Sequence, residues 1–411
     1  MIRELTIKNY KSILDHTIEL GRVNVFIGEN GCGKTNILEA MAMVGAALTD
    51  KLSVEELFNR GIRVAKPSSM RSSFPGTPDQ EIVLQCFSQL GTSEASFREE
   101  LRIAAEEGSA ADVKWYENRG SDEEQMARAV RSLATWMQRP DIFTTEHIED
   151  IVRTLMARFP PSEKALHELA RGSILRGGMG REQLGALVGD FAIYNANALA
   201  LRGLQTVSRR SPMGIHGETL DVAIAGLKPD VWADLLERAK CVSWLEDIVV
   251  DPTDHLKCQG HKLGKSQSTL YFHDKHMPPA NNVFSAENVN EGVLHVLFHL
   301  TLFVSESTPR ILGIDNVDTA LNPQLCRDLM KQICELAAKH DKQALITTHN
   351  PATLDGLNLH DDEQRLFVVY RNDEGHTVTK RIKAKAQPEG QKLKLSELWM
   401  RGHLGGIPRN F

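Results

Sequence analysis

The stretch Gly28–Thr35, GENGCGKT, has the residue types and spacing of a phosphate-binding loop, G-x-x-x-x-G-K-[S/T]. Glycines let consecutive backbone N–H groups wrap around phosphate oxygens, and a helix that follows adds partial positive charge at its N-terminus. Lys34 would reach the β- and γ-phosphates of a nucleotide, and the Thr35 hydroxyl would ligate Mg²⁺. The predicted nucleotide contacts in this stretch are Asn30, Gly31, Cys32, Gly33, Lys34, Thr35 and Asn36.

An acidic residue ends an apolar run in the stretch Ile311–Pro323, ILGIDNVDTALNP. Asp315 would lie at the carboxyl end of a strand, where open α/β sheets bind their ligands, and would hold Mg²⁺ together with Thr35. The next residue is Asn316, at a position where a carboxylate could take a proton from the attacking water. Loss of a general base typically costs about 10²–10⁴ in rate, although an amide can still orient a water.

Two further residues are candidates for the chemistry of hydrolysis. Asp318 is the nearby carboxylate that could replace the missing base, and it could equally be a turn residue or a loop contact. His349 ends the apolar run ALITTH and is neutral at pH 7, so it could hydrogen-bond a γ-phosphate or the attacking water. The predicted catalytic residues are therefore Asn316, Asp318 and His349.

The elements that must position these residues can be predicted from hydrophobic periodicity. The apolar run VNVFI precedes the phosphate loop, and KTNILEAMAMVGAAL follows it with good helix formers and no proline. From about Ile248 onward, strand patterns alternate with helix patterns, which predicts a largely parallel sheet. Between these regions the sequence pattern is that of helices, and SDEEQMARAVRSLATWMQR begins with a capping box at Ser121 and Glu124.

We therefore predict an α/β protein with a helical insertion. The predicted segments are an N-terminal lobe with the phosphate loop (1–92), a helical insertion (93–245), a C-terminal lobe (246–383) and a basic C-terminal tail (384–411).

Composition limits the class of protein. The chain has 411 residues, of which 41% are hydrophobic and 25% charged, so it can bury a sizeable core. Its six cysteines form no CxxC pair, which is typical of reduced thiols in a cytoplasmic protein. No run reaches the roughly eighteen apolar residues that a membrane helix needs. We predict a cytoplasmic protein without a membrane contact.

Charge is unevenly distributed along the chain. The net charge is −6, but residues 380–411 contain eight Lys or Arg and two Asp or Glu, so this end carries +6 and the remainder −12. An acidic body argues against a dedicated nucleic-acid binder. The basic tail leaves a local nucleic-acid contact or the docking of a partner protein open.

The order of motifs resembles that of the ATP-binding-cassette heads of RecF, SMC and OLD-type ATPases. The motifs are NYKS, GENGCGKT, NEGVLHVLFHLTLF, ILGIDNVDTALNP and LITTHNP, and the resemblance covers approximately Met1–Leu90 and Val250–Asp355. It implies an ATPase head of the P-loop class with ATP and Mg²⁺ as cofactors. The implied roles are a Walker A pair at Lys34 and Thr35, a Walker B carboxylate at Asp315, a D-loop at Ala320–Pro323, a switch residue at His349 and a nucleotide contact at Lys11.

Two positions depart from the family pattern. Where the signature usually reads Ser-Gly-Gly or Ser-Asp-Gly, this chain has Asn290, Glu291 and Gly292, so the glycine and the helix after it match. The resemblance implies that these three residues contact ATP across a head-to-head homodimer or higher oligomer. Asn316 stands where the family commonly has glutamate, so we expect firm ATP binding with slow or partner-dependent hydrolysis.

Among short members of this class, the chain most resembles the ATPase subunits of bacterial anti-phage systems such as Septu and retron-associated modules. That resemblance implies a regulatory subunit that controls a companion nuclease, of HNH type. Two alternatives stay open: a RecF-like DNA-repair ATPase that binds DNA by itself, and a scaffold in which bound ATP is structural.

Overall fold

The computed structural model describes residues 1–76, 80–89, 96–106, 113–120, 181–205, 212–384 and 393–405. Within these residues, no helix is both long and apolar enough to cross a membrane.

The described strands form three sheets. The strands are β1 (Ile2–Tyr10), β2 (Ile13–Glu19), β3 (Val23–Ile27), β4 (Ile82–Gln89), β5 (Ser96–Glu106), β6 (Lys114–Glu117), β7 (Ile193–Tyr194), β8 (Leu245–Val250), β9 (Leu270–Asp274), β10 (Val283–Ser285), β11 (Ile311–Ile314), β12 (Gln343–Thr347), β13 (Gln364–Arg371) and β14 (Thr377–Ile382). The sheet orders are β2-β1-β4-β5-β6, β10-β9-β8 and β14-β13-β3-β12-β11-β7.

Helices connect and cover these sheets. The α-helices are Lys34–Leu48, Val54–Asn59, Pro67–Met70, Ala198–Leu201, Leu220–Ala225, Pro229–Ala239, His255–Cys258, Glu291–Val304, Pro323–Lys339 and Leu395–Met400. Residues 181–188 are also helical, and Pro351–Gly356 is a 3₁₀-helix.

The six-stranded sheet positions the predicted site. Strands β13, β3, β12, β11 and β7 run parallel, and only β14 pairs antiparallel within this described sheet. Strands β3, β11 and β12 are buried along their whole length, as expected for parallel strands covered on both faces. The parallel sheet predicted from the sequence is confirmed. Because β3, β12 and β11 are neighbours, their carboxyl ends meet at one edge.

The helix Lys34–Leu48 lies between two sheets. It packs against β1, β4 and β5 of the five-stranded sheet and against β7 and β12 of the six-stranded sheet. All but one of its residues are buried, which explains why its sequence is apolar all round instead of on one stripe. The phosphate loop is therefore attached to one of the most buried elements of the fold.

The predicted helical insertion of residues 93–245 is wrong at its start. Residues 96–106 and 114–117 form strands β5 and β6, which extend the five-stranded sheet. Phe97, Leu101 and Ile103 are buried and are an even number of positions apart, so they lie on the same face of the strand. Leu101 pairs with Leu84 of β4. The many Glu and Ala residues favour a helix locally, but cross-strand packing against β4 overrides that preference. The helix predicted from Ser121 lies outside the described residues.

The end of the predicted insertion also belongs to the head. Strand β7 joins the edge of the six-stranded sheet, and the helix Pro229–Ala239 packs against the helix Glu291–Val304. Leu235 shares a core with Val25 and Ile314. The described residues from 181 to 245 thus share a core with the six-stranded sheet.

Part of the predicted basic tail is packed against the head. The helix Leu395–Met400 contacts the 3₁₀-helix Pro351–Gly356. The backbone N–H and the hydroxyl of Ser396 donate to the Asp355 carboxylate at 3.0 and 2.7 Å. Trp399 and Leu404 are buried in the main core. The described residues 393–405 therefore dock on the segment that follows His349.

Lys342 caps the carboxyl end of the helix Glu291–Val304 and makes stability depend on pH. Its side chain is 4% exposed, and Nζ donates to the carbonyl oxygens of Leu302 and Ser305 at 2.8 and 2.7 Å. Burial lowers its pKa from 10.5 to about 7. The unfolded chain therefore binds more protons than the folded chain between these two values, and the free energy of unfolding should rise with pH across that window.

We expect Lys342→Met to remove this contribution, which amounts to at most about 1.4 kcal/mol per pH unit. Urea unfolding of both proteins at pH 7, 8 and 9 measures the difference in slope. Lys331→Met, which removes an exposed lysine, is the matched control. Equal slopes in the wild type and Lys342→Met would contradict the prediction.

Candidate nucleotide-binding site

The phosphate loop connects β3 to the helix Lys34–Leu48 and requires glycine at two closely packed positions. Gly28 and Gly33 have φ angles of 150° and 107°. A Cβ at Gly28 would collide with the carbonyl oxygen of Val369, and one at Gly33 with the hydroxyl of Thr377. Both the backbone conformation and the close neighbours therefore exclude a side chain.

Lys34 lies inside the loop. Its side chain is 6% exposed, and Nζ donates to the carbonyl oxygens of Gly28 and Glu29 at 2.9 and 3.0 Å. Burial lowers its pKa, against the opposing charges of groups that include Asp315. The ammonium group is thus held over the loop, where a phosphate-binding lysine has to be.

Thr35 and Asp315 meet across the edge of the sheet. The Thr35 hydroxyl lies 3.2 Å from each oxygen of the Asp315 carboxylate, although the two residues are 280 positions apart. A hydroxyl beside a carboxylate offers the hard oxygen ligands that Mg²⁺ prefers. These two predicted metal ligands are therefore brought together with suitable chemistry.

Thr347 holds this carboxylate in place and was not found by motif analysis. Its hydroxyl donates to Asp315 Oδ1 at 2.5 Å and accepts from the backbone N–H of Asn316 at 2.9 Å. The only sequence signal was its position at the end of β12, two residues before His349.

Asn316 and Asp318 have different surroundings. Asn316 has a left-handed backbone with φ 57°, a conformation that asparagine adopts more readily than most residues. Asp318 Oδ1 accepts from the Thr348 hydroxyl at 2.7 Å and from the His349 backbone N–H at 3.1 Å. These bonds correspond to the loop-contact interpretation of Asp318, and its role as a base stays a prediction.

His349 is exposed at the end of β12, beside the loop lysine. Partial burial lowers its pKa below the ordinary 6.5, and the positive charge of Lys34 lowers it further. The carboxylates of Asp318 and Asp315 oppose this shift without reversing it. The imidazole is therefore neutral at pH 7 and can accept or donate a hydrogen bond.

The fold is similar to that of a solved SMC head. The structure titled "Crystal structure of the SmcHead bound to the C-winged helix domain of ScpA" matches with a TM-score of 0.51 and 14% identity, covering 93% of this chain and 98% of that one. An SMC head domain from Thermotoga maritima matches with a TM-score of 0.43 and 14% identity, covering 94% and 99%. The predicted class, a P-loop ATPase head, is confirmed at the level of the fold.

Two family models match the sequence. "AAA ATPase domain" matches residues 1–133, and "AAA domain, putative AbiEii toxin, Type IV TA system" matches residues 261–355. Both models describe AAA-type domains, so the two matched segments are similar to domains of that type. The matches span the phosphate loop and the Asp315–His349 region, the two parts that form the site. No curated protein matches the sequence.

The predicted signature and the predicted D-loop are neighbours. Asn290 caps the helix Glu291–Val304 through its side-chain oxygen, which accepts from Gly292 N–H at 2.8 Å. A Cβ at Gly292 would lie 3.4 Å from the Ala320 carbonyl oxygen. Asn290 and Ala320 are both exposed, and the role of the three signature residues in binding ATP stays a prediction.

Lys11 does not contact the phosphate loop through its ammonium group. Nζ lies 2.5 Å from Glu39 Oε2 and donates to the Arg63 carbonyl at 3.1 Å. The neighbouring Ser12 contacts the loop helix instead, since its Oγ accepts from Asn36 Nδ2 at 2.7 Å. A direct nucleotide contact of Lys11 stays a prediction.

Arg63 is a second residue that the motifs missed. Its guanidinium donates to Glu39 at 2.8 Å and to Asn36 Oδ1 at 3.3 Å, and its side chain remains 65% exposed. It lies in the loop after the helix Val54–Asn59, outside any recognisable pattern. A positive charge is therefore held beside the first turn of the phosphate-loop helix.

Glu39 is 0% exposed and should contribute strongly to stability through Lys11 and Arg63. Removing one partner of a buried pair costs about 3–5 kcal/mol because the other charge is left uncompensated. We expect Glu39→Ala to lower the free energy of unfolding by about 3 kcal/mol in urea denaturation.

Combining Glu39→Leu with Lys11→Met should restore most of the loss, because it removes the buried charge and fills the space. Glu246→Ala, at an exposed position, is the control. A Glu39→Ala variant as stable as the control would disprove the interpretation.

Proposed function

We propose that this chain is a Mg²⁺- and ATP-binding regulatory subunit whose output is a change of conformation. The observation that carries this proposal is the meeting of Thr35 with Asp315, 280 positions away in sequence, next to Lys34 in the phosphate loop. Lys34 supplies charge for the phosphates, and the Thr35 hydroxyl and Asp315 carboxylate supply oxygen ligands for the metal.

Two heads would complete each other's sites. The exposed residues Glu29, Asn30 and Gly31 of the loop, the exposed His349, and the exposed Asn290 beside Ala320 all belong to motifs that act on ATP in this class. Exposure of catalytic motifs on a single head fits a site that closes when a second copy arrives. ATP would then act as the bridge in a head-to-head homodimer or higher oligomer.

The proposed effector is a companion nuclease of HNH type in bacterial anti-phage defence. The resemblance to defence ATPases supports this proposal, and one matching family model names a toxin of a type IV TA system. The similar SMC head binds a winged-helix domain of another protein, so this fold accommodates protein partners. Co-expression with the product of the adjacent gene tests the proposal. A stable complex whose nuclease activity depends on ATP supports it, and nuclease activity indifferent to this chain contradicts it.

Hydrolysis should be slow because Asn316 cannot accept a proton. We expect Asn316→Glu to raise single-turnover phosphate release by about 10²-fold, since a general base contributes about 10²–10⁴. Lys34→Ala should abolish release and serves as the blank. Release unchanged in Asp318→Ala would remove Asp318 as a substitute base. Equal release from the wild type and Lys34→Ala would contradict hydrolysis at this loop and favour the scaffold.

A RecF-like role in DNA repair remains the second candidate because of the basic C-terminal segment. Lys394, Arg401 and His403 are exposed there. Titration of the purified chain with duplex DNA at 50 and 200 mM salt separates the two functions. We expect weak binding. Tight binding that falls steeply with salt would favour the DNA-repair ATPase, because phosphate contacts release counterions.

A further inference from the structure

The β13–β14 hairpin contacts the outer side of the phosphate loop through two side chains. Arg371 Nε and Nη2 each lie 3.3 Å from the carbonyl oxygen of Gly31, and the Thr377 hydroxyl donates to the carbonyl oxygen of Cys32 at 2.7 Å. Two consecutive peptide groups of the loop are therefore bonded from outside by residues more than 300 positions away in sequence.

These bonds determine where the loop's N–H groups point. A trans peptide unit is planar, so the carbonyl of one residue and the N–H of the next point in opposite directions. When the Gly31 carbonyl faces Arg371, the N–H of Cys32 faces away from the hairpin. When the Cys32 carbonyl faces Thr377, the N–H of Gly33 does the same. Among the described residues, the Cys32 N–H makes only a long contact of 3.5 Å, to the Glu29 carbonyl oxygen. Such N–H groups are what a phosphate loop offers to a nucleotide.

We propose that Arg371 and Thr377 are positioning residues that direct the backbone N–H groups of Cys32 and Gly33 towards the phosphates of bound ATP. The inference rests on the proposed function, since it concerns how the same site binds ATP. Neither residue belongs to a nucleotide-binding motif, and each acts through the loop instead of touching the nucleotide.

The hydroxyl of Thr377 is fixed in one orientation by a chain of hydrogen bonds. Asn36 Nδ2 donates to Ser12 Oγ at 2.7 Å, and Ser12 Oγ lies 2.7 Å from Thr377 Oγ1. Because the Cys32 carbonyl can only accept, Thr377 must donate to it, and Ser12 must donate to Thr377. Each of the two hydroxyls thus donates one hydrogen bond and accepts another. The chain links the first turn of the helix to the loop that precedes it.

The surroundings make this arrangement rigid. Thr377 is 1% exposed, and its backbone N–H donates to the Ser12 carbonyl at 2.7 Å. The guanidinium group of Arg371 is also held through its third nitrogen, because Nη1 donates to the Gly375 carbonyl at 2.6 Å. The Thr377 hydroxyl also occupies the space that a side chain at Gly33 would need. The loop therefore rests on a preformed surface of the hairpin.

The test compares three threonine variants in titration calorimetry with Mg²⁺-ATP. Thr377→Val removes the hydroxyl at nearly constant volume and should weaken ATP affinity by about five- to tenfold, the effect of one lost hydrogen bond. Thr377→Ser keeps the hydroxyl and should bind ATP as the wild type does. Thr379→Val is the matched control, because the Thr379 hydroxyl pairs with His16 Nε2 at 2.8 Å and not with the loop.

Thermal unfolding of the same proteins separates positioning from stability. Weakened affinity in Thr377→Val with rescue by Thr377→Ser supports the inference. Unchanged affinity in Thr377→Val overturns it, and so does an equal loss in Thr379→Val. If the wild type itself binds no ATP, the proposed function fails as well, and that failure is visible without any variant.

The exposed Arg371 provides an independent variant should Thr377→Val fail to fold. Arg371→Lys keeps the positive charge but loses the paired donors of the guanidinium, so geometry and not charge is tested. We expect about threefold weaker ATP binding with an unchanged melting temperature. ATP affinity equal to that of the wild type would overturn the role of Arg371.

Discussion

The candidate site depends on three parallel strands lying side by side. Strand β3 ends at the phosphate loop, β11 at Asp315 and β12 at the segment that contains Thr347 and His349. Parallel strands place their carboxyl ends at one edge, so residues 280 positions apart meet within hydrogen-bond distance. The flanking sheet and helices are needed because strands buried on both faces must be covered. Much of the fold serves to make this edge.

The electrostatics of this edge favour holding an anion and a metal over activating a water. Lys34 and the loop N–H groups provide positive potential, whereas Asp315 is already directed towards Thr35 and Thr347. Asp318, the other carboxylate nearby, has an oxygen that accepts from the switch segment. Hydrolysis needs a group that takes a proton at the right moment. With an amide at position 316, the site keeps its predicted binding groups but has no carboxylate where the base was expected.

Motifs predicted the central site because their chemistry is local in sequence. The phosphate loop, Asp315 and His349 each belong to a short pattern at a strand end, and the parallel sheet follows from alternating strands and helices. Strand β5 was missed because its Glu- and Ala-rich segment favours helix when considered alone, and β6 was missed because it has only 4 residues. The pairing of β5 with β4, which buries Phe97 and Leu101, is a non-local effect, and β6 pairs with β5 in turn. Thr347, Arg63 and Thr377 were missed for the same reason, since each gains its role only from a distant partner.

The C-terminal part of the chain contacts both the phosphate loop and the segment that follows His349. The β13–β14 hairpin bonds to the phosphate loop, and the helix Leu395–Met400 bonds to the 3₁₀-helix that follows His349. The loop and the segment of His349 belong to different ends of the sequence and are also joined through the sheet and through the bonds of Asp315 to Thr35 and Thr347. Because buried contacts resist displacement, the positions of the loop and the switch are set together by a segment that carries no nucleotide-binding motif. The relative position of Lys34 and His349 is therefore a property of the C-terminal segment as much as of the motifs themselves.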